Sequence, residues 1–131
     1  MSLSVDVYVP RAEGGIEVLD VPPGCSDAAG REDWRTEVWG SEPVRSLGAR
    51  FLPRLATEDL TVAPDEVPAF LAECALVRTR LAQIADHIAD HIADHRADRI
   101  ADHRAEVSRG LDNIVAAARR AADIGGGIII W

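Results

Sequence analysis

Across residues 69–109 the chain contains neither glycine nor proline, the two residues that most often end a helix. Few features constrain a chain of 131 residues more strongly. Asp65 and Glu66 favour a helix amino terminus, and Pro68 suits the first helical turn. Phe70, Leu71, Cys74, Ala75, Val77, Leu81 and Ile84 follow mostly at three- and four-residue steps, the spacing of one buried helix face. The pattern predicts one continuous helix over residues 68–109, ended by Gly110. At about 1.5 Å per residue it would extend roughly 63 Å, whereas a compact domain of this length has a radius of gyration of about 14 Å. Part of the helix is therefore expected to protrude.

The outer part of this helix is a tandem repeat. Residues 85–104 read ADHI, ADHI, ADHR, ADRI, ADHR and hold all four histidines of the chain. Four residues advance about 400° in a helix, so each row of side chains winds by about 40° per unit. The isoleucine row runs Ile84, Ile88, Ile92, Arg96, Ile100, Arg104, and its two arginines argue against a coiled-coil seam. Asp86, Asp90, Asp94, Asp98 and Asp102 stand four apart, which destabilises a helix by roughly a few tenths of a kcal/mol per pair.

Two readings of the repeat stand side by side. One is a solvated, slippage-expanded extension of an older helix. The other is a divalent-metal or pH-responsive element. His87 with His91, and His91 with His95, are i,i+4 pairs that can clamp one ion such as Zn or Ni, and Asp90 or Asp94 could add an oxygen ligand. A zinc metalloprotease is excluded, because Ile88 or Ile92 stands where the catalytic glutamate must follow the first histidine.

Elsewhere the periodicity changes. Residues 4–9 alternate with period two, placing Val5, Val7 and Val9 on one face, and residues 16–21 make a second strand after Gly14 and Gly15. An antiparallel hairpin is expected. Residues 26–39 look helical, with Trp34 and Val38 at i,i+4 spacing and Gly40 as the stop. A second short helical stretch is expected over residues 43–55, then a strand at Leu60, Thr61 and Val62. Leu111 begins a second amphipathic helix that Gly125 ends, and residues 126–131 close as an apolar, central strand. The order predicts a single α+β domain over residues 1–131, a small sheet of about four strands covered on one face by helices.

Composition narrows function. Net charge is −8, so phosphate backbones and anionic lipid surfaces would be repelled, which makes nucleic acid and membrane poor partners. The amino-terminal residues show neither a basic leader nor a signal-length apolar run, and Cys25 and Cys74 lack zinc spacing, so a cytoplasmic chain with free thiols is expected. No histidine outside the repeat is available to pair with a cysteine or serine nucleophile, and no G-x-S-x-G occurs. The residues therefore predict no enzyme and no bound cofactor. Trp34, Arg35 and Trp39 have the composition of interface anchors, while either ring could equally be core.

Residues 6–10 (DVYVP), 33–41 (DWRTEVWGS), 66–75 (EVPAFLAECA) and 125–131 (GGGIIIW) together resemble a group of small uncharacterised acidic α+β proteins of high-GC bacteria. The resemblance omits the repeat and implies no catalytic residue. In size, acidity and lack of an active site the chain also looks like immunity proteins of bacterial polymorphic toxin systems. That likeness implies a non-enzymatic protein-binding module acting on a basic partner such as a toxin; separately, the protruding helix leaves a homo-oligomer open. For the repeat itself, helix content followed by circular dichroism on a peptide of residues 80–108 is expected to change across the imidazole titration range, around pH 6.5. A flat signal from about pH 5 to 8 would remove the pH-responsive reading.

Overall fold

The alternating residues at the start of the chain form β1 (Ser2–Pro10), the longest strand. The computed structural model describes residues 2–91 and 97–131, with side chains at 2–87 and 104–131. Leu3, Val5 and Val7 are buried on one face of β1, whereas Val9, expected with them, is only partly buried. One edge of β1 pairs with β5 (Gly127–Ile130). The other edge is shared by β3 (Ala28–Arg31) at the beginning of β1 and β2 (Ile16–Val18) at its end. β4 (Leu60–Val62) pairs with the far side of β5, and all four pairings are antiparallel. The sheet has five strands rather than about four, and the apolar β5 is central as its composition predicts.

Helices pack against one face of this sheet. They are α1 (Glu42–Arg45), α2 (Val67–Arg78), α3 (Leu81–His91) and α4 (Ala97–Ile124). Leu3, Val5, Val7, Ile128 and Ile130 of the sheet share one core with Phe70 and Val77 of α2 and Leu111, Ile114 and Ala118 of α4. Short 3-10 turns at Leu52–Ala56 and Pro64–Glu66 link the remaining elements.

Three expectations require correction. The helix predicted over residues 26–39 is a strand followed by a π-helical turn, Arg35–Trp39. Distant donors draw the Ala28–Arg31 backbone out straight: Asn113 Nδ2 donates to the Ala28 carbonyl at 2.8 Å and Trp39 Nε1 to the Ala29 carbonyl at 2.9 Å. Gly30, at φ +111°, completes the turn, and Trp34 lies where its Cβ would stand. The helix predicted over residues 43–55 is reduced to α1 and the first 3-10 turn, with Gly48 at φ +80° between them.

The continuous helix over residues 68–109 is also corrected. The chain breaks at Thr79 and Arg80, where Thr79 Oγ1 donates to the Leu76 carbonyl at 2.6 Å and the Arg80 amide donates to the Val77 carbonyl. The hydroxyl competes with the helical ladder. α3 and α4 then pack on one another. Ile84, Ala85 and Val107 are buried where this helical pair meets the body, and Arg78 at the end of α2 bonds Asp112 of α4. Burying Ile84 and Val107 contributes about 1.5–3 kcal/mol each, more than the roughly 0.5–1.5 kcal/mol of a backbone bond forgone at the break. The protrusion expected of the repeat falls partly on residues 92–96, outside the described residues. Gly110 does not end a helix. It lies inside α4, where a Cβ would come within 3.2 Å of the Trp34 ring, so glycine serves close approach there.

Glu73 fixes the loop region onto α2. Its side chain is almost fully buried and accepts from the amides of Arg50, Phe51 and Leu52, with Leu52 at 2.9 Å. A carboxylate on one helix thus caps the amino end of the 3-10 turn that follows Phe51. Glu73→Ala leaves these buried donors without their acceptor and is expected to destabilise the fold by about 2 kcal/mol or more. Chemical denaturation of the two proteins measures this; an unchanged midpoint would mean that water replaces the carboxylate.

Candidate protein-binding surface

Side chains alternate across a strand, so the register of the sheet assigns every residue to a face. The odd positions of β1 point into the helices; Ser4, Asp6, Tyr8 and Pro10 point away. Opposite them stand Trp131, Ile129, Gly127, Val18 and Ile16. The exposed apolar side chains of this face stand toward its two ends, with Asp6 and the buried Tyr8 and Ile129 between them. Ile16, Val18 and Trp131 are 46%, 39% and 44% exposed. Among the described residues only Leu76 and Ile124 are large apolar side chains of comparable exposure. An antiparallel sheet with one open face ordinarily carries polar residues there, and an apolar one marks a contact surface.

Charge surrounds this face. Trp131 Nε1 donates to Asp6 Oδ2 at 2.9 Å, which holds the indole over β1. Tyr8 lies across Gly127 and donates its hydroxyl to the Val62 carbonyl at 3.2 Å. Its pKa is raised, first by burial and then by the charges of Glu66 and Asp65. Those two carboxylates thus act on the apolar surface from the turn beside β4. The arrangement can hold a protein surface by apolar contact while favouring positive charge around the rim.

The residues predicted as interface anchors are placed elsewhere. Trp39 is fully buried and Trp34 nearly so; their rings meet edge to face with centroids 5.9 Å apart. Arg35 is 18% exposed in its side chain and binds Glu32 and Asp59 at 2.6 Å, together with the carbonyls of Leu55 and Glu58. The Asp59 bond chiefly raises its pKa. All three residues hold the 32–59 region together and leave little for a partner to touch.

The metal reading falls largely outside the described residues. Asp94 and His95 lie there entirely, and so do the side chains of Asp90 and His91, although α3 extends to His91. His87 is partly buried near Arg80 and Glu42 on a shallow surface groove. No group of three His, Cys, Asp or Glu side chains that could hold an ion occurs among the described residues.

Both cysteines are free thiols, as predicted, with Cys25 exposed and Cys74 buried. Burial, then the neighbouring charge of Glu73, pushes the Cys74 thiol up to about 12. A thiol so placed stays protonated and is no nucleophile at neutral pH.

The surface residues Ile16, Val18 and Trp131 were not singled out from sequence. Two of them alternate within a strand, and the signal lay in which parity of β1 they oppose, which only the pairing register supplies. No helix among the described residues is long and apolar enough to cross a membrane. Compared with known proteins, the chain matches no family model, no curated protein and no solved structure.

Proposed function

We propose that this chain is a non-enzymatic protein-binding module of the immunity type, which inhibits a basic partner by covering it. The observation that carries the reading is the outer sheet face, where Ile16, Val18 and Trp131 are exposed, Trp131 bonds Asp6, and the charges of Asp65 and Glu66 act on Tyr8. A net charge of −8 extends the same preference over the whole molecule. Apolar anchors supply affinity, and the acidic rim selects the partner and speeds its approach.

The immobilised protein, exposed to its native cytosol at about 50 mM salt, is expected to retain a basic protein that about 500 mM salt releases, because exposed charges are screened at that strength. The double variant Val18→Glu, Trp131→Ala alters exposed side chains and is expected to reduce capture of the purified partner at least about tenfold, a loss of some 1.4 kcal/mol. Leu76→Asp, an equally exposed change on α2, serves as the control and retains capture. Equal binding by the double variant would remove this face as the site. An empty eluate at low salt would count against the reading altogether.

A further inference from the structure

The register of the β1–β2 hairpin fixes where the main chain of β2 points. Val9 stands opposite Glu17, the Arg11 amide donates to the Gly15 carbonyl at 3.1 Å, and the Leu19 amide donates to the Val7 carbonyl at 2.8 Å. Positions 15, 17 and 19 therefore turn their amides and carbonyls toward β1. Main-chain groups alternate in direction along a strand, so Ile16 and Val18 turn theirs to the opposite edge. Among the described residues β2 pairs with β1 alone, at one end of the sheet, and all three of its residues are exposed. Such an edge is a template for a further strand.

The side chains specify what that strand must carry. Antiparallel pairing lets Ile16 and Val18 each exchange both main-chain bonds, whereas parallel pairing is slightly less stable per residue. Residues opposite Ile16 and Val18 would lie on the outer face of the sheet, beside those two apolar side chains. The residue between them would stand opposite Glu17, on the other face. Glu17 is half exposed and meets Arg11 at 3.5 Å, an exposed pair that restrains the carboxylate only weakly. Glu13 and Asp20 are exposed as well, so residues 11–20 carry three acids against one arginine.

A second copy of the chain fits this edge badly. Two β2 strands related by a two-fold axis would pair Ile16 with Val18 and set Glu17 directly against Glu17, at the non-hydrogen-bonded position where side chains come closest. Like charges so placed are destabilising, and each molecule carries a net charge of −8. We propose that the free edge of β2 accepts one antiparallel strand of the basic partner, with an arginine or lysine opposite Glu17 and an apolar residue on each side of it. This is strand addition: main-chain bonds to Ile16 and Val18 supply attachment, and Glu17 selects the charge. It rests on the protein-binding reading above and specifies the segment that meets the Ile16 and Val18 end of the outer face.

The test is amide-resolved NMR on the whole ¹⁵N-labelled chain, titrated with acetyl-Thr-Val-Arg-Val-Thr-amide to about 5 mM, enough to read a millimolar complex. The Ile16 and Val18 amides are expected to move downfield and to exchange more slowly with solvent. Glutamate in place of the peptide's arginine should weaken binding at least about fivefold, and Glu17→Arg, an exposed change, should reverse that preference. Methylating the nitrogen of either valine removes a main-chain bond and is expected to cost a similar factor. Methylating that of the arginine, which points away from β2, should change binding less than about twofold. Equal binding of the valine-methylated peptides would overturn strand pairing, and a charge preference unchanged in Glu17→Arg would overturn the role of Glu17. Unmoved Ile16 and Val18 resonances would overturn the site itself. The same shifts on concentrating the chain alone would make a second copy the occupant and overturn the basic strand. If the peptides fail while the Val18→Glu, Trp131→Ala variant still loses capture of the partner, only this edge is removed and the outer-face reading stands.

Discussion

The pairing of β1 with β5 is the contact on which the rest of the sheet depends. β2 and β3 join the sheet through β1, and β4 joins through β5. Without the register Val5 to Ile130 and Val7 to Ile128, the strands would fall into two separate groups. Ser4 and Trp131 exchange both amide bonds beyond the end of β5, at 2.9 and 3.1 Å. These partners lie at opposite ends of the sequence, so the sheet can close only after α4 has brought β5 back across the core. Such long-range pairing carries a large loop-closure cost and slows folding. Gly126, just before β5, and Gly127, its first residue, serve this close approach. A Cβ at Gly126 would overlap the Tyr8 carbonyl oxygen, and one at Gly127 would overlap the Val62 carbonyl and the Tyr8 ring.

Around that pair, polar groups do the work of local structure. Residues 32–59 contain little regular secondary structure, yet Arg35 ties four acceptors together and Glu73 gathers three successive amides from across the core. Each satisfies backbone or side-chain groups that the short π and 3-10 turns leave open. The loops are thereby tied to the core by side-chain bonds. This is why Trp34 and Trp39 lie in the core despite a surrounding sequence of arginines and acids.

What the sequence disclosed followed from local period. The period-two run of β1, the glycine-turn hairpin to β2, the strand Leu60–Val62, the start of α2 and the central position of β5 were all legible, because each is written in adjacent residues. Gly125, at φ +68°, is the helix stop it was read as, with the Gly126 amide reaching the Ala121 carbonyl. The failures share another cause. Ala28–Arg31 has neither alternation nor strand propensity and becomes a strand because distant donors claim its carbonyls. The break at Thr79 carries no glycine or proline; it reflects the gain from folding Ile84 back against the body. The proposed binding face is not legible in the sequence because parity within β2 means nothing until its partner strand is known.

Exposed apolar side chains on a sheet face raise the question of what would keep the proposed surface from binding everything, including itself. Two copies meeting through this face would bring together molecules of net charge −8, with Asp6, Asp65 and Glu66 near the contact on both sides. At physiological salt the Debye length is about 8 Å, so charges around an apposed face still repel. On the proposed reading acidic proteins would be rejected on the same ground, and a basic one would be attracted before contact is made. The charge that contributes nothing to the core therefore sets the direction of specificity. Under the proposed function it would favour a basic partner over a second copy of the chain, and a hetero-complex over the homo-oligomer expected of a protruding helix.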